Sequence, residues 1–140
     1  QILWLDGRNH TNLQEIGTMN VFAVINGEVH TPSLFEGTIL PGITRDSVIQ
    51  LLNSWNIPVY EREISIHELI EAQQKGHIDE MFGSGTAATI SPIKGFGYDD
   101  RHYEVTLGDQ NSISAKLKKA LQEIKQGNAT ESFGWVEKLA

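Results

Sequence analysis

The 140-residue chain contains no cysteine, which excludes a disulfide framework, a thiol nucleophile and any thiolate metal site. No apolar run approaches the ~20 residues that a bilayer-spanning helix needs, so no membrane partner is expected. Cations are in the minority. Eleven Lys and Arg stand against 18 Asp and Glu, giving a formal charge of −7 and a pI near 5.1. That balance argues against nucleic-acid or acidic-membrane binding. The five histidines (His10, His30, His67, His77, His102) show no H-x-x-x-H spacing, and no G-x-S-x-G or P-loop lysine pattern occurs. No metal site is expected. No basic leader precedes an apolar run, and the expected location is the cytoplasm. Asn9-His10-Thr11 and Asn128-Ala129-Thr130 fit the glycosylation sequon and are read as chance matches. What is present is ordinary for one soluble domain: 39% apolar and 21% charged residues.

The start, "QILWLDG", enters an apolar run at once, without methionine or a loose leader, and reads as the interior of something larger. Ile2–Leu5 and Val21–Ile25 are apolar and β-branched enough for strands, divided by a polar segment. Asn26-Gly27 is a two-residue hairpin signal with Glu28–Thr31 as the return strand. From residue 43 the period changes. Val48, Leu51, Leu52 and Trp55 share one face of a helix that Pro58 stops, and residues 59–64 alternate as a strand. Ser65-Ile66-His67-Glu68 is a capping box for a helix to about Lys75, closed by Gly76. Strands are expected at Ile78–Phe82, Thr86–Ile93 and Tyr103–Leu107, then a helix capped by Ser112 with Ile113, Leu117, Leu121 and Ile124 on its apolar face. The order predicts a mixed α/β fold, an incomplete barrel-like sheet flanked by helices, as one domain over residues 1–140.

Three stretches can carry chemistry. In "TILPGITRDSVIQLL", Gly42 leaves the backbone bare where a helix begins, and the N–H groups of Ile43 and Thr44 lack partners within the helix. Such a start is either a plain strand-to-helix turn or an anion site. Arg45 lies in the first turn, where the helix dipole disfavours a cation. A bound anion would offset that, and so would an acidic neighbour such as Asp46 or Glu36. In "MFGSGTAATISPI", Gly83 to Ala88 match G-x-G-x-x-A. The β-branched residues and proline that follow oppose the helix a dinucleotide fingerprint requires. A glycine-rich turn between strands remains, with the Thr86 hydroxyl and free N–H groups as a second anion cup. In "LQEIGTMNVFAV", Glu15 is either a solvated loop carboxylate or a fixed charge at the mouth of a sheet.

"EIGTMNVF", "LFEGTILPGITR" and "FGSGTAATISPI", in this order, resemble the large-domain motifs of branched-chain amino-acid aminotransferases, pyridoxal-phosphate enzymes of fold type IV. The resemblance extends over nearly the whole chain. It implies that Glu15 pairs with the pyridine nitrogen of pyridoxal 5'-phosphate and that Thr18 lies near the ring. Ile43, Thr44 and Thr86 would hold the phosphate, and Ala87 and Ala88 the α-carboxylate of the substrate. A redox-sensitive Cys-x-x-Cys of some relatives is replaced by Ala88 and Ser91. The family's Schiff-base lysine precedes the glutamate motif and is matched by none of Lys75, Lys94, Lys116, Lys118, Lys119, Lys125 or Lys138. The chain therefore resembles the C-terminal part of the large domain, without the small domain, and is expected to be inactive by itself. The resemblance implies a homodimeric parent that moves the amino group of leucine, isoleucine or valine to 2-oxoglutarate. A D-amino-acid aminotransferase or aminodeoxychorismate lyase of the same fold, and a non-enzymatic module that binds phosphate compounds or self-associates, are the alternatives.

Overall fold

The computed structural model describes residues 1–129 and 133–137; Thr130 of the second sequon and Lys138 lie outside them. β1 (Leu3–Leu5) pairs antiparallel with β2 (Leu13–Ile16), which turns through Gly17 and Thr18 into β3 (Met19–Ile25). The loop between β1 and β2 is organised by Asp6, whose carboxylate accepts from the N–H groups of Arg8, Asn9, Thr11 and Asn12 at 2.6–3.1 Å. Those donors favour the ionised form and hold its pKa far below the usual carboxylate range. Asn26 and Gly27, at φ 51° and 79°, make the expected tight turn into β4 (Glu28–Pro32). α1 (Ile43–Ser54), β5 (Val59–Arg62), α2 (Ile66–Gln74), β6 (Ile78–Gly85), β7 (Thr89–Pro92), β8 (Gly95–Tyr98), β9 (Arg101–Glu104) and α3 (Ile113–Lys125) follow.

β3 is the strand on which the sheet is built, and it has three partners. β6 pairs with it from Asn20 to Ile25, β2 pairs at Met19 and Asn20, and β4 pairs from Ala23 to Ile25. A strand has two edges, so β2 and β4 share the one that β6 leaves free and the sheet forks between them. Thr31 fills the fork: fully buried, it donates its hydroxyl to the Val21 carbonyl at 2.8 Å. β5 adds parallel to β4 after α1, as a crossover helix permits, and β7 adds antiparallel to β6.

Both faces of β3 are apolar because both are covered. Phe22 and Val24 pack with Phe82 and Ile90, beneath Val48, Leu51 and Leu52 of α1 and Leu117, Leu121 and Ile124 of α3. Phe22 stands opposite Phe82 in register, with ring centroids 5.0 Å apart. Val21, Ala23 and Met81 face the other way, onto Leu69 of α2 and onto Phe96 and Tyr103 of the β8–β9 hairpin. The mixed α/β sheet flanked by helices is the fold the sequence predicts.

Several expectations need correction. Gly83 and Gly85 do not make a turn, since β6 runs through both; the turn is Thr86–Ala88, so the strand expected at Thr86–Ile93 begins only at Thr89. Their missing side chains leave room for Met19: a methyl on Gly83 would stand 3.0 Å from its Cε, and one on Gly85 3.1 Å from its Cγ. The strand expected at Tyr103–Leu107 is instead Arg101–Glu104, in a hairpin with Gly95–Tyr98 around Asp99-Asp100, which sit at φ 49° and 56°. Tight asparagine-free turns of this kind are hard to read from composition, although aspartate tolerates the conformation. The capping box is half made. Ser65 accepts from the Glu68 N–H at 3.0 Å, but the Glu68 carboxylate pairs with Arg62 instead of reaching back. No helix among the described residues is long and apolar enough to cross a membrane.

Candidate functional site

Glu15 lies within β2 rather than on a loop, directly opposite Asn20 on β3. Asn20 stands opposite Ser84 on β6, and Ser84 opposite Ile90 on β7. Directly paired residues share a face, so these four form a row across the sheet on the side of α1 and α3. Two members of the row grip one residue of the segment that leads into α1. Glu15 Oε1 accepts from the Leu40 N–H at 3.2 Å, and Asn20 Nδ2 donates to the Leu40 carbonyl at 2.9 Å. The grip brings Gly42 down onto Asn20 so closely that a methyl group there would overlap the Asn20 Oδ1.

The start of α1 differs from the other helix starts. Ser65 caps α2; Ser112 and the buried Glu80 together cap α3, with Glu80 accepting from the N–H groups of Ile113 and Ser114 at 2.7 and 3.2 Å. Gly42 gives α1 no side-chain cap. The N–H groups of Ile43 and Thr44 therefore keep their donors and the positive end of the dipole for something else. Arg45 is not that something's partner. Its guanidinium turns back into the protein, 3% exposed, with Nη2 donating to the Pro32 carbonyl at 2.9 Å and pairing with Glu61 at 2.8 Å. The acidic neighbour is Glu61 on β5, not Asp46 or Glu36.

Thr18 forms the β2–β3 turn and Thr86, Ala87 and Ala88 the exposed β6–β7 turn. A methyl on Gly85 would lie 3.8 Å from the Thr18 carbonyl, so the two turns are neighbours at one end of the sheet. Glu15, Thr18, Ile43, Thr44, Thr86, Ala87 and Ala88 thus gather around the ends of β2, β3 and β6. Glu15, Ile43 and Ala88 border separate hollows. Glu15 borders a hollow of about 700 Å³ with Asp6, Arg8, Glu36, Thr38 and Glu63. Ile43 borders one of about 360 Å³, and Ala88 one of about 210 Å³ beside Lys118 and Lys125. The 700 Å³ hollow touches Glu15 but none of the helix-start donors, so its size says little about the chemistry.

Chemically, the set offers anion donors at one end and a carboxylate at the other. The donors are the Ile43 and Thr44 N–H groups and the hydroxyls of Thr44 and Thr86. Ser84, fully buried two residues before Thr86, has a hydroxyl without a hydrogen-bond partner, a polar reserve beneath the same place. Such a set fits a ligand with an anionic head and a protonated nitrogen. Asn20 and Ser84 are absent from the sequence reading. The signal for Asn20 is its place as the polar residue in the apolar run Met19–Ile25, where a buried amide needs a partner.

The family model described as Amino-transferase class IV matches residues 1–96. Branched-chain-amino-acid aminotransferase 2 of Bacillus subtilis is 44% identical over all 140 residues, which cover 38% of that relative. The crystal structure of the Escherichia coli branched-chain amino acid aminotransferase superposes with a TM-score of 0.75 at 30% identity, covering 96% of this chain and 40% of that one. An aminotransferase from Brucella abortus bound to the cofactor PLP gives 0.66 at 33% identity, over 82% of this chain and 36% of that one. This chain accordingly spans well under half the length of these relatives. With its fork-built mixed sheet and its bare helix start, the chain belongs to the class IV aminotransferase family.

Proposed function

We propose that this chain supplies one wall of a pyridoxal 5'-phosphate site in an aminotransferase acting on the branched-chain L-amino acids leucine, isoleucine and valine, with 2-oxoglutarate as acceptor. The observation that carries the reading is the uncapped start of α1, gripped through Leu40 by the same Glu15 and Asn20 that begin the row across the sheet. On this reading the N–H groups of Ile43 and Thr44 and the Thr86 hydroxyl hold the phosphate, and Thr18 lies along the ring. Glu15 holds a proton on the pyridine nitrogen; its Oε1 is fixed by the Leu40 N–H, which leaves Oε2 to accept. The N–H groups of Ala87 and Ala88 hold the substrate α-carboxylate. Bound there, the cofactor supplies an electron sink for charge left at the substrate α-carbon.

The chain takes the place of the C-terminal part of the large domain in this proposal. The amine that binds the cofactor and the pocket for the branched side chain come from outside these residues, in a homodimeric cytoplasmic enzyme. The complete polypeptide carrying this chain is expected to transaminate L-leucine with 2-oxoglutarate. A higher rate on D-alanine would overturn the substrate assignment in favour of a D-amino-acid aminotransferase. The 140 residues alone are expected to bind pyridoxal phosphate reversibly on dialysis, with no transamination and no cofactor fixed by borohydride. Turnover by the chain alone would mean that one of its own lysines serves.

A further inference from the structure

Six non-glycine residues among those described have positive φ: His10, Asn26, Asn56, Thr89, Asp99 and Asp100. Asparagine, aspartate and histidine enter the left-handed region readily, whereas a β-branched residue there is an outlier. Thr89 is the β-branched one, at φ 57°. It is also the residue that closes the turn Thr86–Ala88, opposite Gly85 in the β6–β7 register. Glycine would adopt this backbone without steric conflict. Threonine adopts it at a steric cost, held by its pairing with Gly85 in the β6–β7 ladder, and strain of this sort collects at ligand clamps.

A second observation ties the same residue to the body of the protein. The Lys125 ammonium, on the last residue of α3, donates to the Thr89 hydroxyl at 3.2 Å. α3 is itself held to the sheet by the Glu80 carboxylate at its first turn and by Leu117, Leu121 and Ile124 along its length. The turn is thus closed by a residue with little torsional latitude, because branching at Cβ narrows both χ1 and the accessible backbone well.

We propose that Thr89 is a positioning residue: its confined left-handed backbone fixes the direction of the Ala87 and Ala88 N–H groups toward the substrate carboxylate, at the expense of stability. The inference rests on the carboxylate role proposed above for that turn. Its logic is preorganisation, in which a site held in the bound geometry loses less freedom on binding. A glycine at the same place removes the strain and restores the freedom, so stability and affinity move in opposite directions. A merely structural residue would move them together.

The test uses the complete polypeptide carrying this chain, with Thr89→Gly and Thr89→Val. Melting temperature, steady-state kinetics with L-leucine, and the Kd of the unreactive acid 4-methylpentanoate, read from the cofactor absorbance, are measured for each. Thr89→Gly is expected to keep its Tm or gain about 2 °C, while KM and the Kd of the acid rise about tenfold and kcat stays within about twofold. Thr89→Val keeps the branch and should hold both constants within about threefold of the parent. If the valine variant does not fold, the glycine variant decides. An unchanged Kd in Thr89→Gly overturns the proposal, and so does a raised Kd accompanied by a Tm loss of several degrees. A parent that turns over no L-amino acid overturns the functional reading instead, and binding of the acid still reports on Thr89.

Discussion

Replacing Gly42 by alanine tests how the start of α1 is held. At φ −66° and ψ 135° the backbone suits any residue, so conformational strain contributes nothing and the effect is steric. The new methyl would meet Arg45 Cβ at an ordinary 3.6 Å and Asn20 Cγ at 3.5 Å, but would overlap the Asn20 Oδ1. Asn20 is 5% exposed and bonded through Nδ2 to the Leu40 carbonyl at 2.9 Å. Its amide cannot turn aside without losing that bond, at about 1 kcal/mol net, and leaving a buried polar group unpaired, at about 1–3 kcal/mol. A loss of about 2–3 kcal/mol is therefore expected, partly relieved if the leading segment shifts outward. In urea melts the midpoint should fall without a change of slope. Asn20→Ala removes the obstructing oxygen, so Gly42→Ala should cost almost nothing more in that background, a coupling of about 2–3 kcal/mol. Additive effects, or a single variant within about 0.5 kcal/mol of the parent, would refute the argument that Asn20 is why position 42 is glycine.

In the complete polypeptide, Glu15→Gln should retain the cofactor while kcat falls about 10²–10³-fold, the usual loss for one charge-stabilising group; unchanged turnover would return Glu15 to a structural clamp on Leu40. Glu80→Gln should destabilise the chain by about 2–3 kcal/mol in urea melts, since its buried carboxylate serves two N–H donors and the Ser114 hydroxyl at the start of α3. His30 is buried against Tyr60, with Arg62 donating to its Nδ1 and Glu28 and Glu68 nearby. Burial first, then Arg62, pushes its pKa below the ordinary 6.5. As the pH falls through 6.5 the unfolded chain takes up a proton before the folded one does, so the stability His30 contributes above that pH is lost on acidification. His30→Gln should flatten the dependence of Tm on pH just below 6.5, and an unaltered slope would count against it.

The elements most legible in the sequence are those whose signal is local. α1 and α3 announce themselves by apolar spacing, the β3–β4 hairpin by Asn26-Gly27, and the caps of α2 and α3 by Ser65 and Ser112. The β6–β7 turn lies beyond a local reading because the glycines of β6 answer to Met19, more than sixty residues earlier in the chain, and no local window contains that packing. Arg45 likewise finds Glu61 and the Pro32 carbonyl through the parallel β4–β5 pairing. Motif resemblance singles out Glu15, Thr18, Ile43, Thr44 and Thr86–Ala88 as candidates, and the fold brings them to one end of the sheet. It could not reveal the grip of Asn20 and Glu15 on Leu40, which exists only once β2, β3 and the segment before α1 meet.

The fork in the sheet bears on the order in which the protein can become competent to bind. β2 and β4 reach β3 through hairpins of a few residues, contacts that close in microseconds. β6 must reach the opposite edge of the same strand across more than fifty residues of intervening chain, from Ile25 to Ile78, and such non-local pairing carries the larger loop-closure cost. The Glu15 clamp and the bare start of α1 need only the first half of the chain, across separations of 20–25 residues, whereas Thr86, Ala87 and Ala88 arrive only with β6. A chain still emerging from the ribosome therefore carries half of the proposed anion cradle before the other half has been synthesised. A ligand that bridges both halves would bind only after the longest-range register has closed, and would hold that register shut by mass action.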